Sequence, residues 1–521
     1  MVSRPPARSS EPHAGLTPVH LNPVAAAAAP IKPGKTKPRE LVIALAYPIG
    51  TDMNRIMRLL IDSIRETGCR VVPITLIFSV KNYILGSARS SRLLSELGTY
   101  HQERALQELG TLCRKIYGPA ALAEVGLIEI DQARAAFSGT GPPQDVVYIL
   151  QSLKRKEEVE LLREQFRGAF FLLSANSSRA IRTQKLAAVI KRRRDFPPHS
   201  DPTKLARELI DRDLRESETE GLGQALGQTF HLADYFVDSD DVPGCEVAIR
   251  RFVELLFGNP FLTPSRAEFA MYHATAAQLR SADLSRQVGC AIASTDGSIV
   301  AVGTNDVPKA GGGLYWEGDV PDGRDFVFYS ARARTDRMRE ILVELVAHAL
   351  RASKRTGFPG PRAATASANI VVTGMLEDPG FKSLRFNVID LGRAVHAEMD
   401  AITTAARRGV SIVGCDLYTT TFPCHNCAKH IVAAGLKSVR FIEPYPKSIA
   451  EDLYPDSITV DPPGGQQDGK IPFSPFVGVA PRRYSDFYKA TSRRGVSGEP
   501  TKWSLAGSRS RFARPEAAIS P

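Results

Sequence analysis

Six consecutive apolar residues, Leu41 to Ala46 (LVIALA), form the pattern of a parallel strand buried on both faces. Tyr47 to Asp52 (YPIGTD) reads as a turn, and Asn54 to Thr67 follows with helical spacing of its apolar positions. The alternation then repeats. Arg70 to Ile77, Asp145 to Leu150, Ala169 to Ser174 and His231 to Asp238 read as strands; Lys154 to Phe166 and Val242 to Phe257 read as amphipathic helices. Strands alternating with helices predict an α/β fold, a doubly wound domain over residues 40–258.

A second pattern starts beyond residue 264. Asp296-Gly297 is a hairpin turn leading into a strand from Ser298 to Thr304. Ala397 to Arg408 and Cys424 to Ala434 are short helices closed by Gly409 and Gly435, and Ser438 to Ile442 is a strand. This predicts a second α/β domain over 264–490, with helices on both faces of its sheet. The ninety residues between Asn305 and His396 are too many for a plain connection, so about 306–391 is expected to be an insertion. Within it, Thr335 to Lys354 reads as a helix and Asn369 to Thr373 as a strand. Residues 1–39 are rich in proline and alanine without periodicity, and 494–521 look similar; both are expected to be disordered tails.

Of 521 residues, 43% are hydrophobic and 24% charged, the composition of an ordinary globular protein with ample core. Seven scattered cysteines are too few for a disulfide framework and suit a reducing cytoplasm. No apolar run reaches eighteen residues, so no membrane span is expected, and the Ala25 to Ala29 run is a poor signal peptide. The net charge of +11 includes the run Lys191-Arg192-Arg193-Arg194. Such a run serves as a solvated basic face or as a contact for a nucleic-acid regulator; a basic surface also attracts nucleotides.

The chemistry is concentrated in two short motifs. His396-Ala397-Glu398 is followed, twenty-eight residues after the histidine, by Cys424-His425-Asn426-Cys427, which Pro423 precedes. One imidazole and two thiolates make a three-ligand set for zinc with a fourth position open to water. Cys424 and Cys427 are three apart at a helix start, where the helix dipole favours the thiolate. The order H-x-E then P-C-x-x-C is the known signature of zinc-dependent nucleobase deaminases, in which the glutamate moves protons and is not a ligand. A redox CxxC pair, or a structural zinc site drawing on His425 or His430, is the competing reading. Retention of Glu398 argues against a purely structural site, which has no use for that carboxylate.

The first turn stands where a phosphate-binding loop would, yet departs from G-x-x-x-x-G-K-[ST]. Counting from Gly50, Leu45 replaces the first glycine, Thr51 the lysine, and Asp52 follows with a repelling charge. Phosphoryl transfer is therefore not expected. A nucleotide ligand held by the backbone amides of Gly50, Thr51 and Asp52 stays open beside a structural use of the domain.

The segments Ser281 to Cys290 (SADLSRQVGC), Gly303-Thr304-Asn305, Gly311 to Trp316, Arg393 to Glu398 and Glu443 to Ser448 resemble deoxycytidylate deaminases. Over roughly residues 40–490 the chain is similar to bacterial anti-phage dCTP deaminases, which fuse a P-loop-like domain, with a loop also ending Gly-Thr-Asp, to a deaminase domain. The resemblance implies a zinc enzyme that converts free deoxycytidine nucleotides, dCTP and dCMP, to dUTP and dUMP, draining cytosine nucleotides during phage infection. It implies zinc on His396, Cys424 and Cys427, proton transfer by Glu398, and self-association as a homo-oligomer. It also implies a nucleoside contact at Asn305, a phosphate contact at Arg286 and a base-stacking ring at Tyr445. Each of these three has an ordinary reading as well: an asparagine capping a turn, a surface ion-pair arginine, a packed tyrosine. A deaminase acting on a base in RNA or single-stranded DNA is the alternative.

Overall fold

The computed structural model describes residues 38–83, 102–137, 144–193, 199–328, 331–352, 361–377, 392–445, 448–462, 469–489, 493–495 and 497–515. Of the disordered tail expected over 1–39, residues 1–37 lie outside them, whereas Arg39 opens the first strand. No helix among them is long and apolar enough to cross a membrane.

The apolar run becomes β1 (Arg39–Ala46), and its alternation separates two cores. Leu41, Ile43 and Leu45 enter one hydrophobic cluster, while Val42, Ala44 and Ala46 enter the other on the opposite face. Then follow α1 (Met53–Arg65), β2 (Arg70–Thr75), β3 (Val146–Gln151), β4 (Phe170–Asn176), α2 (Arg179–Lys191), β5 (Tyr235–Asp238) and α3 (Val242–Leu256). Strands β2, β3, β1, β4 and β5 pair in that order, all parallel. The chain order reverses beside β1, where open α/β sheets leave a crevice outside the strands' C-terminal ends.

Helix α4 (Arg266–Gln278) leads into the second sheet, built from β6 (Gly289–Ala293), β7 (Ile299–Thr304), β8 (Asp416–Thr421), β9 (Ser438–Glu443), β10 (Ile458–Val460) and β11 (Ile471–Pro475). Its order is β10-β11-β9-β8-β6-β7, with β6 antiparallel to both neighbours and the other pairs parallel. The molecule is thus a mixed α/β protein with two largely parallel sheets. Cys290 and Ile292 of β6 face one core of the second domain, whereas Ala291 and Ala293 join Ala270 and Met271 in the cluster that also packs on the first sheet. The two units share buried surface. Glu268 strengthens the joint: it accepts from Val479 N–H at 2.8 Å and pairs with Arg251 at 2.8 Å.

Three sequence expectations need correction. The β-branched run Asn369 to Thr373 lies inside a helix; α5 (Ala331–Ala352) and α6 (Pro361–Glu377) form a hairpin whose small core joins Val343 and Ala347 to Ala368 and Val372. Packing of one helix face outweighs the local strand propensity. The second correction concerns 494–521. β13 (Arg514–Pro515) pairs with β1, and Leu505, Ser510 and Ala513 are buried against the first domain, so residues 497–515 are ordered parts of it. A few apolar anchors, Trp503, Leu505 and Phe512, dock this otherwise polar stretch. Third, β12 (Gly478–Val479) lies within the span expected for the second domain but pairs antiparallel with β5 of the first sheet.

The insertion has its two ends at one place. Asp306 and Val395 form an isolated antiparallel bridge, with Val395 N–H donating to Asp306 O at 2.9 Å. The residue that follows Val395 is His396.

Candidate metal centre

Helix α7 (Ala397–Arg407) begins with His396 as its N-cap, and α8 (His425–Ala433) begins with Cys424 as its N-cap. Both N-termini therefore point at one spot, with Cys427 in the first turn of α8. Cys424 Sγ and Cys427 Sγ each lie 3.3 Å from His396 Nδ1. The ligand atoms of these three residues all fall within 4.8 Å of one another. Donors placed 2.0–2.3 Å from a tetrahedral zinc stand roughly 3.3–3.8 Å apart, so the arrangement has the dimensions of a zinc site. Among the described residues no further His, Cys, Asp or Glu joins this cluster. His425 and His430 remain apart from it; His430 Nδ1 instead meets Asn426 O at 2.7 Å.

Glu398 is 4% exposed and its Oε2 lies 3.4 Å from Cys427 Sγ. Burial, followed by the charge on Cys424, pushes its carboxyl above the usual range. The Cys424 thiol is pulled down to about 4, first by the hydrogen bond from Cys427 and then by His396. Cys427 moves up because it gives that hydrogen bond and is buried, and His396 moves up through its hydrogen bond with Cys424. One thiolate, one imidazole and a buried carboxyl thus converge where two helix dipoles present their positive ends.

A glycine sets how α7 meets the sheet. A Cβ on Gly303 of β7 would fall 2.1 Å from Ala397 O and 2.4 Å from Ala401 N, so only glycine admits the observed approach. Asp400, one turn after His396, accepts from Thr304 N–H at 3.1 Å and fixes the same contact. Sequence reading missed Asp400. The signal was a carboxylate four residues after the histidine, on the same helix face.

The resemblance also pointed to three contact residues. Asn305 is buried at the end of β7, and its side chain works on backbone: Oδ1 accepts from Val288 N–H at 2.6 Å and Nδ2 donates to Arg286 O at 2.7 Å. Ser281 Oγ donates to Asn305 O at 2.7 Å, closing the brace. Arg286 forms an ion pair with Glu443 at 2.5 Å. Tyr445 is half-buried in the turn after β9, where Ser448 N–H donates to its carbonyl at 3.0 Å; Ser448 Oγ in turn donates to Pro423 O at 2.9 Å. Asn305 and Arg286 are thus engaged with backbone and with a carboxylate, and Tyr445 lies in a loop joined through Ser448 to Pro423, the residue before Cys424.

The turn after β1 is arranged differently from a phosphate loop. Gly50 has φ +89°, and Thr51 N–H and Oγ1 both donate to Pro48 O. Asp52 is the N-cap of α1 and accepts from Arg55 N–H at 3.3 Å, so its carboxylate stands where an anion would sit. In the basic run, Arg193 is paired with Glu103, and Arg194 lies outside the described residues.

Residues 264–443 match the family model described as the cytidine and deoxycytidylate deaminase zinc-binding region. The deoxycytidylate deaminase of Enterobacteria phage T2 is 46% identical over 54 residues, which are 10% of this chain and 29% of that protein. ComE operon protein 2 of Bacillus subtilis is 43% identical over 53 residues, 10% of this chain and 28% of that protein. The chain thus spans under a third of the length of these relatives. A crystal structure of the dCMP deaminase of cyanophage S-TIM5 aligns with 41% of this chain and 100% of its own at 17% identity; the TM-score of 0.22 is too low to bear on the fold.

Proposed function

We propose that this chain is a zinc-dependent hydrolase that removes the exocyclic amino group of free deoxycytidine nucleotides, yielding deoxyuridine nucleotides and ammonia. The observation that carries the reading is the pairing of a three-donor cluster with a buried, non-ligating carboxyl: His396, Cys424 and Cys427 converge, and Glu398 reaches the cluster's edge. The zinc-binding family match and the deoxycytidylate deaminase relatives support the same chemistry. Zinc held by the three residues would supply the Lewis acidity that makes water a nucleophile near neutral pH. Glu398 takes the proton from that water and delivers protons to the ring nitrogen and the departing ammonia. Asn305 and Asp400 act as positioning residues, the first on the 286–288 backbone and the second on α7.

Both dCMP and dCTP are proposed substrates, and loss of cytosine deoxynucleotides during phage infection is the proposed role, in the cytoplasm. The first domain is read as a P-loop-like scaffold, on its β2-β3-β1-β4-β5 parallel order. Asp52 in the anion position, with no lysine in the loop, argues that it no longer transfers phosphate. Plaque formation on cells carrying the wild type or Glu398→Gln tests the role: protection by the wild type alone supports it, and equal protection contradicts it.

A further inference from the structure

The last residue of β8, three positions before Cys424, carries a buried hydroxyl that the fold does not use. Thr421 is 6% exposed, and its Oγ1 has no hydrogen-bond partner. A polar group buried in this way is costly, and native folds keep few of them. Thr419, two residues earlier on the same strand, differs: its Oγ1 donates to Thr421 O at 3.0 Å.

The pleat of the strand sets where Thr421 points. Gly289 and Thr420 face α4, because a Cβ on Gly289 would meet Ala274 O at 1.9 Å and Gly289 N–H donates to Thr420 Oγ1 at 3.1 Å. Leu417, Thr419 and Thr421 therefore face the other side of the sheet. On that side Leu417 and Cys290 share a core with Ala397 and Ala401 of α7 and with Ala428 and Ile431 of α8.

The connection brings Thr421 under the cysteines. β8 and β9 are parallel neighbours joined through α8, so α8 runs back over the sheet against the direction of β8. Only Phe422, Pro423 and the N-cap Cys424 separate Thr421 from that helix. The first turn of α8 thus stands over the C-terminal end of β8. Cys427 lies in that turn, 1% exposed, next to Ala428 on the side turned to the sheet.

Cys427 changes its hydrogen-bonding character as a metal ligand. As a thiol it donates to Glu398 Oε2 at 3.4 Å. As a ligand it is a thiolate, which can only accept. Donors to ligand atoms orient them and tune metal affinity. Thr421 brings an unused O–H to this place.

We propose that Thr421 is a positioning residue of the metal centre, its hydroxyl donating to the Cys427 thiolate when zinc is held. This rests on the zinc reading given above and concerns the ligand set, not the choice of substrate.

The test compares the full-length parent with Thr421→Val, which keeps the shape and loses the O–H, and Thr421→Ser, which restores it. Zinc affinity is read by competition with a chromophoric chelator. The sulfur-to-metal charge-transfer band is read in the cobalt-substituted chains. Thr421→Val should bind zinc about 10- to 100-fold more weakly. Its band should move to longer wavelength, because a thiolate without that hydrogen bond gives up electron density more readily. Thr421→Ser should recover the affinity and the parent's band. Without metal, Thr421→Val should unfold at or above the parent's temperature, since it removes an unpaired buried hydroxyl. That opposite sign separates the role from a general loss of packing. The proposal is overturned if Thr421→Val matches the parent in zinc affinity, if its cobalt band does not move, or if its metal-free Tm falls. A parent that binds neither metal would sink the zinc reading and this proposal with it; a parent that binds both, with the valine variant its equal, sinks the proposal alone.

Discussion

Gly303→Ala adds one methyl group at the contact that sets the metal centre. The new Cβ would lie 2.1 Å from Ala397 O and 2.4 Å from Ala401 N, and both are backbone atoms of α7 that no rotamer change can move. Reaching an ordinary contact of about 3.3 Å requires the first turn of α7 to retreat from β7 by about 1 Å. That turn carries Glu398 and is capped by His396, whereas Cys424 and Cys427 stand on α8 and stay behind. Misplacement of catalytic groups by about 1 Å costs on the order of 10²-fold in rate, and overpacking costs roughly 1–3 kcal/mol in stability. The expected outcome is a folded chain whose kcat/KM for dCMP falls about 10²-fold, with weakened zinc retention during dialysis. The assay pairs steady-state kinetics with metal analysis. Activity within about threefold of the parent and full zinc content would refute the claim that this close approach positions the site.

Cys427→Ser and His396→Ala should each lose the bound zinc and the activity together, because two remaining donors do not hold the ion; metal analysis after dialysis checks this, and retained zinc contradicts the assigned set. Asn305→Ala leaves Val288 N–H and Arg286 O without their side-chain partners and should cost about 1–3 kcal/mol, seen as a lower Tm; an unchanged Tm contradicts the bracing role. Burial, with the nearby Asp238 and Asp240 charges, pushes Asp461 from its ordinary 3.8 up to about 6. The folded state holds that proton more tightly, so stability present below about pH 4 is lost as pH rises through about 6. Asp461→Asn should therefore gain Tm relative to the parent between about pH 5 and pH 7; a constant difference over that interval contradicts the shift.

What the sequence revealed, and what it concealed, follows from how local each signal is. LVIALA reads as β1 because a strand buried on both faces has no polar alternate positions, and nothing distant is needed to see it. The zinc donors and Glu398 were legible for a similar reason: their spacing places them at the starts of two short helices. Asn369 to Thr373 was misread because its β-branched side chains favour a strand, while the contact that makes it helical comes from Val343 and Ala347. Residues 497–515 looked featureless because a few anchors, Trp503, Leu505 and Phe512, dock the segment far from them in sequence, on the first domain. Asp52 was visible as a departure from a phosphate loop, but its work as a helix cap is a matter of geometry.

The central claim is tested most directly by product analysis of the purified, zinc-loaded chain. It is supplied in turn with dCMP, dCTP, CTP, cytidine and adenosine nucleotides, with Glu398→Ala run alongside. The account predicts dUMP from dCMP and dUTP from dCTP, ammonia in equal amount, and neither product from the variant although it keeps its zinc. Product formation that persists in Glu398→Ala, or a zinc-loaded chain that converts none of these free nucleotides, would contradict it.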